Sequence, residues 1–243
     1  MGATNGEIGK VDEFYFDDQS WTIRYLVVKT GGWLSGRKVL ISPAAFLKPD
    51  WENETFPVNL TQEQIENSPD IDTEKPVSRQ HELDLYNHYS WPYGIRSGEG
   101  FYGGMGMMGM TESRIPIEDS VAAYQHLQKQ EGDPHLRSTG EVKGYSLHAT
   151  DGDIGDVEDF IVDDDTWTIR FLVVDTGDWF PGKKVLVSPK WIKDIKWENS
   201  SVYVDLTVDA IKNSPEYDPL QPLNESYETD LYKYYGKSVN DRS

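Results

Sequence analysis

Residues 21–33 read WTIRYLVVKTGGW, and residues 167–179 read WTIRFLVVDTGDW. This phrase, written twice, decides how the 243-residue chain is organised. Shifting the sequence by 146 positions aligns residues 6–89 with 152–235 without a gap, with about 40 identical pairs. Among them are Ile8/Ile154, Gly9/Gly155, Phe14/Phe160 and Asn67-Ser68-Pro69 with Asn213-Ser214-Pro215. A period of that length belongs to duplicated domains and not to a solenoid of short repeats.

Within the phrase the pattern has period two. Trp21, Ile23, Tyr25 and Val27 fall on one face of a strand, and Leu26 with Val28 falls on the other, so its end is expected to be buried on both sides. Val11, Phe14 and Phe16 form the preceding strand, joined through the polar turn Asp17-Asp18-Gln19-Ser20. Gly31 and Gly32 end the phrase. The second copy keeps only Gly177, so the shared glycine is expected to carry the unusual backbone angle. Val39-Leu40-Ile41, stopped by Ser42-Pro43, is a further short strand, and Trp51 with Phe56, Val58 and Leu60 reads as a hairpin. Thr61-x-x-Gln64 is a capping box that opens a helix, which Pro69 closes. Glu82–Tyr89 and Glu228–Tyr235 carry aromatic residues at helical spacing and are expected to pack on the strands.

The segment 90–141 differs. SWPYGIRSGEGFYGGMGMMGM (90–110) is rich in glycine and methionine and reads as a flexible linker, followed by one short helix around 120–129. Clustered methionines are a soft-ligand set for Cu(I), but flexible filler accounts for the same composition more simply.

Composition bounds the function. The chain carries 42 acidic and 23 basic residues, a formal net charge of −19 spread along its length. Such a surface repels phosphate backbones and anionic head groups, so nucleic acid is excluded as a first reading. No cysteine is present, which removes disulfides and thiolate chemistry. The opening MGATNGEIGK shows no basic n-region or apolar stretch of a signal peptide, and no apolar run approaches a membrane span. The expectation is a soluble, cytoplasmic chain with no direct membrane insertion.

No constellation of catalytic, cofactor-binding or metal-binding residues emerges. Arg24 and Arg170 interrupt apolar strands and call for carboxylate partners. Asp151-x-Asp153 and Asp163-Asp164-Asp165 invite a calcium reading, yet Gly155 and Val162 stand where ligands are needed, and a hairpin turn with solvated acids fits better. His81 and His88 lie two helical turns apart, too far for one metal ion, and Tyr227 and Tyr234 replace them in the second copy, which favours aromatic packing.

One family pattern gathers these features. Gly6-x-Ile8-Gly9-x-Val11-x-x-Phe14, Asp17-Asp18, residues 21–28, Gly31 and residues 37–43 resemble the PRC-barrel family, and residues 151–155 through 184–189 repeat the pattern. The resemblance implies a small β-barrel in each copy, like that of the cytoplasmic part of the photosynthetic reaction-centre H subunit and the C-terminal domain of the ribosome maturation factor RimM. It implies a docking surface and supplies no catalytic residue.

The fold expected is therefore mainly β: two PRC-barrel-like domains at 1–89 and 142–243, each followed by short helices and joined by the linker at 90–141. Residues 142–149 alternate as a leading strand before the second copy, whereas the first has only Met1-Gly2-Ala3-Thr4 there. Its barrel is expected to lack that strand and to expose an edge: either the true start lies upstream, or the chain is incomplete at that edge, or another chain or the linker fills it. The function expected is a non-enzymatic adaptor or scaffold for a protein partner, its copies pairing as an intrachain pseudo-dimer or the chain forming a homo-oligomer. Two other classes stay open: an auxiliary component of photosynthetic electron transfer, and an acidic hydrolase or metal-dependent enzyme.

Overall fold

A computed structural model describes residues 1–50, 52–69, 79–89, 133, 135–177, 183–221 and 223–238, with the backbone alone at 79–81, 83 and 86. The Met/Gly-rich segment, the helix expected around 120–129 and the His81 side chain lie outside the described residues. The chain divides into two compact units, Met1–Ser138 and Thr139–Ser243.

The second unit shows the architecture most fully. Its strands are β7 (Ser146–Ala149), β8 (Gly152–Asp163), β9 (Thr168–Asp175), β10 (Lys184–Val187), β11 (Ile192–Lys196) and β12 (Ser201–Val204). They form one sheet in the order β10-β9-β8-β7-β12-β11, antiparallel except for the parallel β7–β12 pair. The described strands form an open sheet and not a closed barrel. β8 is twelve residues long, and two bulges, at Val157/Asp159 and Ile161/Val162, let it curve between its neighbours.

The first unit repeats this plan with less regular pairing. Its strands are β1 (Gly2–Ala3), β2 (Gly6–Glu7), β3 (Gly9–Asp17), β4 (Ile23–Thr30), β5 (Lys38–Ile41) and β6 (Leu136–Ser138). The β3–β4 register carries bulges at Val11/Glu13 and Tyr15/Phe16, each 146 positions before its twin. The bridges Gly2↔Pro57, Phe46↔Val58 and Asp50↔Thr55 stand where the second copy has β7–β12 and β11–β12 pairs.

The leading strand expected to be missing from the first copy is thus represented. β1 pairs with β2 in the register that His148–Ala149 uses against Gly152–Asp153, and the Met1 amino group donates to the Gly9 carbonyl at 2.7 Å. A second finding falls within the span read as linker: Leu136–Ser138 is a strand, paired antiparallel with β3. Residues Thr139–Val142 then form a helical turn, α3.

The repeated phrase is β4 and β9, and its alternation has the expected result. Ile23 through Val28 are all buried, as are Ile169 and Phe171 through Val174. Before each strand the chain turns on an aspartate. Asp17 Oδ1 accepts from the Gln19 and Ser20 amides (3.1 and 2.8 Å), and Asp163 Oδ1 accepts from those of Asp165 and Thr166 (3.2 and 2.8 Å). Each loop closes with a tryptophan in the left-handed region, Trp21 at φ 58° and Trp167 at φ 56°, a conformation rare for a bulky side chain. Trp21 recovers part of that cost by stacking on Phe16 at 5.1 Å.

Gly9 and Gly155 are glycines because β3 and β8 cross their neighbours closely. A Cβ would lie 2.1 Å from the Lys29 carbonyl oxygen in one copy and 1.9 Å from that of Asp175 in the other. The expectation for the glycine after the phrase holds in one copy only: Gly177 has φ +61°, whereas Gly31 is extended, and in its loop the positive angles fall at Ser35 and Gly36.

Helices α1 (Gln62–Glu66), α2 (Arg79–Tyr89), α4 (Val208–Lys212) and α5 (Glu225–Tyr234) cover the sheets. The capping box forms as read: Thr61 Oγ1 accepts from the Gln64 amide at 3.2 Å, and Gln64 Oε1 accepts from the Thr61 amide at 2.9 Å. Leu85 and Tyr89 of α2 enter the first core beside Tyr25, Leu40 and Ile65. Leu231 and Tyr232 of α5 are buried in the second, where Tyr232 meets the edge of Trp191 at 5.5 Å.

Candidate functional site

The arginines that break the apolar strands are the first candidates, and each finds its carboxylate. Arg24 donates from Nη2 to Glu82 Oε1 at 3.1 Å, and its Nη1 lies 3.9 Å from Asp17 Oδ2. The Tyr25 hydroxyl donates to the same Glu82 oxygen at 2.9 Å. In the second copy Arg170 Nη2 donates to Glu228 Oε2 at 2.6 Å, with Nη1 3.6 Å from Asp163 Oδ2. Glu82 and Glu228 occupy equivalent positions on the last helix of each unit. Each clamp therefore ties that helix to the central strand and to the turn aspartate.

A second equivalent set fastens the short helix. Arg37 donates to the Glu66 carbonyl at 3.0 Å and to the Ser68 carbonyl, and Lys183 donates to those of Lys212 and Ser214 at 2.6 and 2.9 Å. Cations at carbonyls just past a helix end satisfy acceptors that the helix leaves open. His88 and Tyr234 do related work from the last helix. His88 Nε2 lies 2.7 Å from the Gln64 carbonyl oxygen, and the Tyr234 hydroxyl donates to that of Ala210 at 2.9 Å. Polar anchoring, and not ring packing alone, unites this unlike pair. Tyr227 donates to the Pro215 carbonyl at 3.1 Å, and burial, with Tyr217 and Glu216 nearby, pushes its phenol up to about 12.

The aspartates read as a calcium pattern are placed in separate local roles. Asp151 Oδ1 accepts from the Val208 amide at 2.7 Å, Asp153 meets His148 Nδ1 at 2.6 Å, and Asp163 holds its turn. Burial opposes ionisation of Asp163. The Thr166 amide and hydroxyl, the Asp165 amide and Arg170 outweigh it and hold its carboxyl below the usual carboxylate range. Among the described residues no three His, Asp or Glu side chains converge as a metal site, and no helix is long and apolar enough to cross a membrane.

The site that sequence reasoning missed is a sheet edge. β6 runs along β3 with Tyr15↔Ser138, Phe16↔Arg137 and Asp17↔Leu136 in register. The Asp18 amide donates to the His135 carbonyl at 2.8 Å, and the Asp18 carboxylate meets His135 Nδ1 at 2.9 Å and Arg137 Nε at 3.2 Å. Ser138 donates its hydroxyl to Glu13 Oε2, which completes the cover. Its sequence signal is slight: two basic residues and an alternation only three residues long, paired with a strand about 120 positions away.

A mainly β unit with a twice-bulged central strand pair, a left-handed tryptophan turn and a clamped terminal helix is thus built twice in this chain. The PRC-barrel domain family model matches residues 1–59 and 140–211, more than half of the chain, and the chain belongs to the PRC-barrel family. It is also similar to an uncharacterised protein of Deinococcus radiodurans, 40% identical over 76 residues, or 30% of this chain and 27% of that protein. The match thus spans about a quarter of the relative's length.

Proposed function

We propose that this chain is a non-enzymatic adaptor that binds a protein partner through the surfaces of its two PRC barrels. The observation that carries this reading is how the fold uses its buried ionic groups. Arg24, Glu82 and Glu228 are taken out of water to fasten each last helix to its central strand, so these charges serve architecture. Family membership supports the same reading, since the PRC barrel serves as an interaction module. Function then resides on surfaces presented by a rigid scaffold, which the duplication doubles.

The test is affinity capture of the tagged full chain from its source, with cross-linking and mass spectrometry, at 0.15 and 0.5 M salt. A specific partner should be retained at both concentrations and cross-link to barrel residues. A chain recovered alone at both, or with a shifting set of basic proteins lost at the higher salt, would contradict the proposal, because a surface of net charge −19 attracts cations without specificity.

A further inference from the structure

The two copies share the arginine–glutamate clamp (without the Tyr25 hydroxyl in the second, since Phe171 replaces Tyr25), the turn aspartate, the short-helix cation and the bulges, but they part at one edge. In the first copy β6 covers β3 at Tyr15–Asp17, and Tyr15 and Phe16 are 6% and 0% exposed. The equivalent stretch of the second copy is Ile161–Asp163 of β8. Its other side is paired with β9 through the same bulged register. On the near side β7 accompanies β8 as far as Asp156; the Val157 amide then donates to the Tyr145 carbonyl at 2.8 Å, the Gly144 amide donates to the Val157 carbonyl at 2.7 Å, and Lys143 Nζ pairs with Asp159 at 2.9 Å. Among the described residues no strand pairs with β8 beyond that point, and Ile161 and Val162 are half-buried where their twins are fully packed.

The backbone direction at this edge follows from the first copy. Asp18 presents its N–H to β6, and alternate residues of a strand face the same side, so Phe16 does too. By the same register Val162 presents its N–H and C=O to the uncovered side. Of the side chains that hold β6, Asp18 has Asp164 as its twin, within the acidic turn Asp163-Asp164-Asp165, whereas the twin of Glu13, Asp159, already pairs with Lys143 Nζ at 2.9 Å. The edge retains the sign of charge that binds Arg137 and His135 in the first copy.

Resting on the adaptor reading, we propose that the β8 edge at residues 161–164 is a strand-addition site for an extended segment of the partner protein. That segment bears an arginine or lysine two residues from a hydrogen-bonding side chain and lies antiparallel to β8, as β6 lies on β3. Backbone bonds to Val162 supply the affinity, and the acidic turn selects the basic side chain. The first copy carries the template of its partner's recognition element within its own chain.

The probe is a synthetic peptide of residues 133–140, DPHLRSTG, added to the isotope-labelled full chain. Amide shifts should move at residues 161–165, and exchange of the Val162 amide should slow at least tenfold at saturation. Arg137→Glu in the peptide should weaken binding at least tenfold. Val162→Pro in the chain, which removes the edge donor, should do the same, and Asp164→Lys is the second variant should the proline unfold the unit. The proposal is overturned by no shift at 161–165 at millimolar peptide, by equal binding of a scrambled peptide, or by shifts confined to residues 14–18. Protection of the Val162 amide in a peptide-free dimer would also overturn it, since a second copy would then be the occupant. A captured partner that binds the Val162→Pro chain undiminished would overturn the edge assignment and leave the adaptor reading intact.

Discussion

The arginine–glutamate clamp offers a sharp quantitative contrast, because the two copies build it at different depths. Arg24 and Glu82 keep 7% and 4% of their side-chain exposure, whereas Arg170 and Glu228 keep 25% and 8%. Removing one member of a buried pair leaves the other charged without water and costs about 3–5 kcal/mol. Where water reaches one member, the loss falls toward about 1 kcal/mol. Arg24→Met should therefore destabilise the first unit by about 3 kcal/mol, and Arg170→Met the second by about 1 kcal/mol. The double variant Arg24→Met/Glu82→Leu removes both charges and should recover about 2 kcal/mol of the single loss. It should stay below wild type because the Tyr25 hydroxyl loses its acceptor. The assay is a urea titration of the full chain by circular dichroism and tryptophan fluorescence, fitting one transition per unit. Equal losses in the two copies, or a double variant as unstable as the sum of its singles, would refute the argument from depth.

Other outcomes follow from individual contacts. Gly155→Ala places a methyl group 1.9 Å from the Asp175 carbonyl oxygen and should destabilise the second unit by about 3 kcal/mol or more in the same titration. Asp163 has a folded-state pKa below its unfolded value of about 3.9, so its contribution is complete above that value and is lost as pH falls through the folded one. Stability measured from pH 6 to 2.5 should consequently fall less steeply in Asp163→Asn than in wild type. Tyr234→Phe removes the bond to the Ala210 carbonyl and should cost about 1 kcal/mol in the second unit, read from its urea midpoint.

Much of the fold can be read from the repeated phrase, because alternation and burial are local properties of a strand. The capping box at Thr61 and the need of Arg24 and Arg170 for carboxylates are legible for the same reason: each follows from a few adjacent residues. The identity of those carboxylates is not local. Glu82 and Glu228 lie 58 positions away, and only the helix docking selects them among so many acids. His88 and Tyr234 share no chemistry in the sequence beyond a ring, yet both reach a carbonyl of the short helix. Gly31 and Gly177 are the same letter with different angles, and in the loop after β4 the positive angles fall at Ser35 and Gly36. β6 is least legible of all, since three residues carry too little periodicity to identify a strand whose partner lies so far back in the chain.

β6 covers the β3 edge of the first copy, and among the described residues no strand covers the equivalent stretch of β8 in the second. Amide hydrogen exchange of the full chain without any added peptide tests it most directly, by comparing Phe16 with Val162. The Phe16 amide should be protected close to the global stability of its unit, and the Val162 amide should exchange at least a hundredfold faster. Equal protection at the two positions would contradict it.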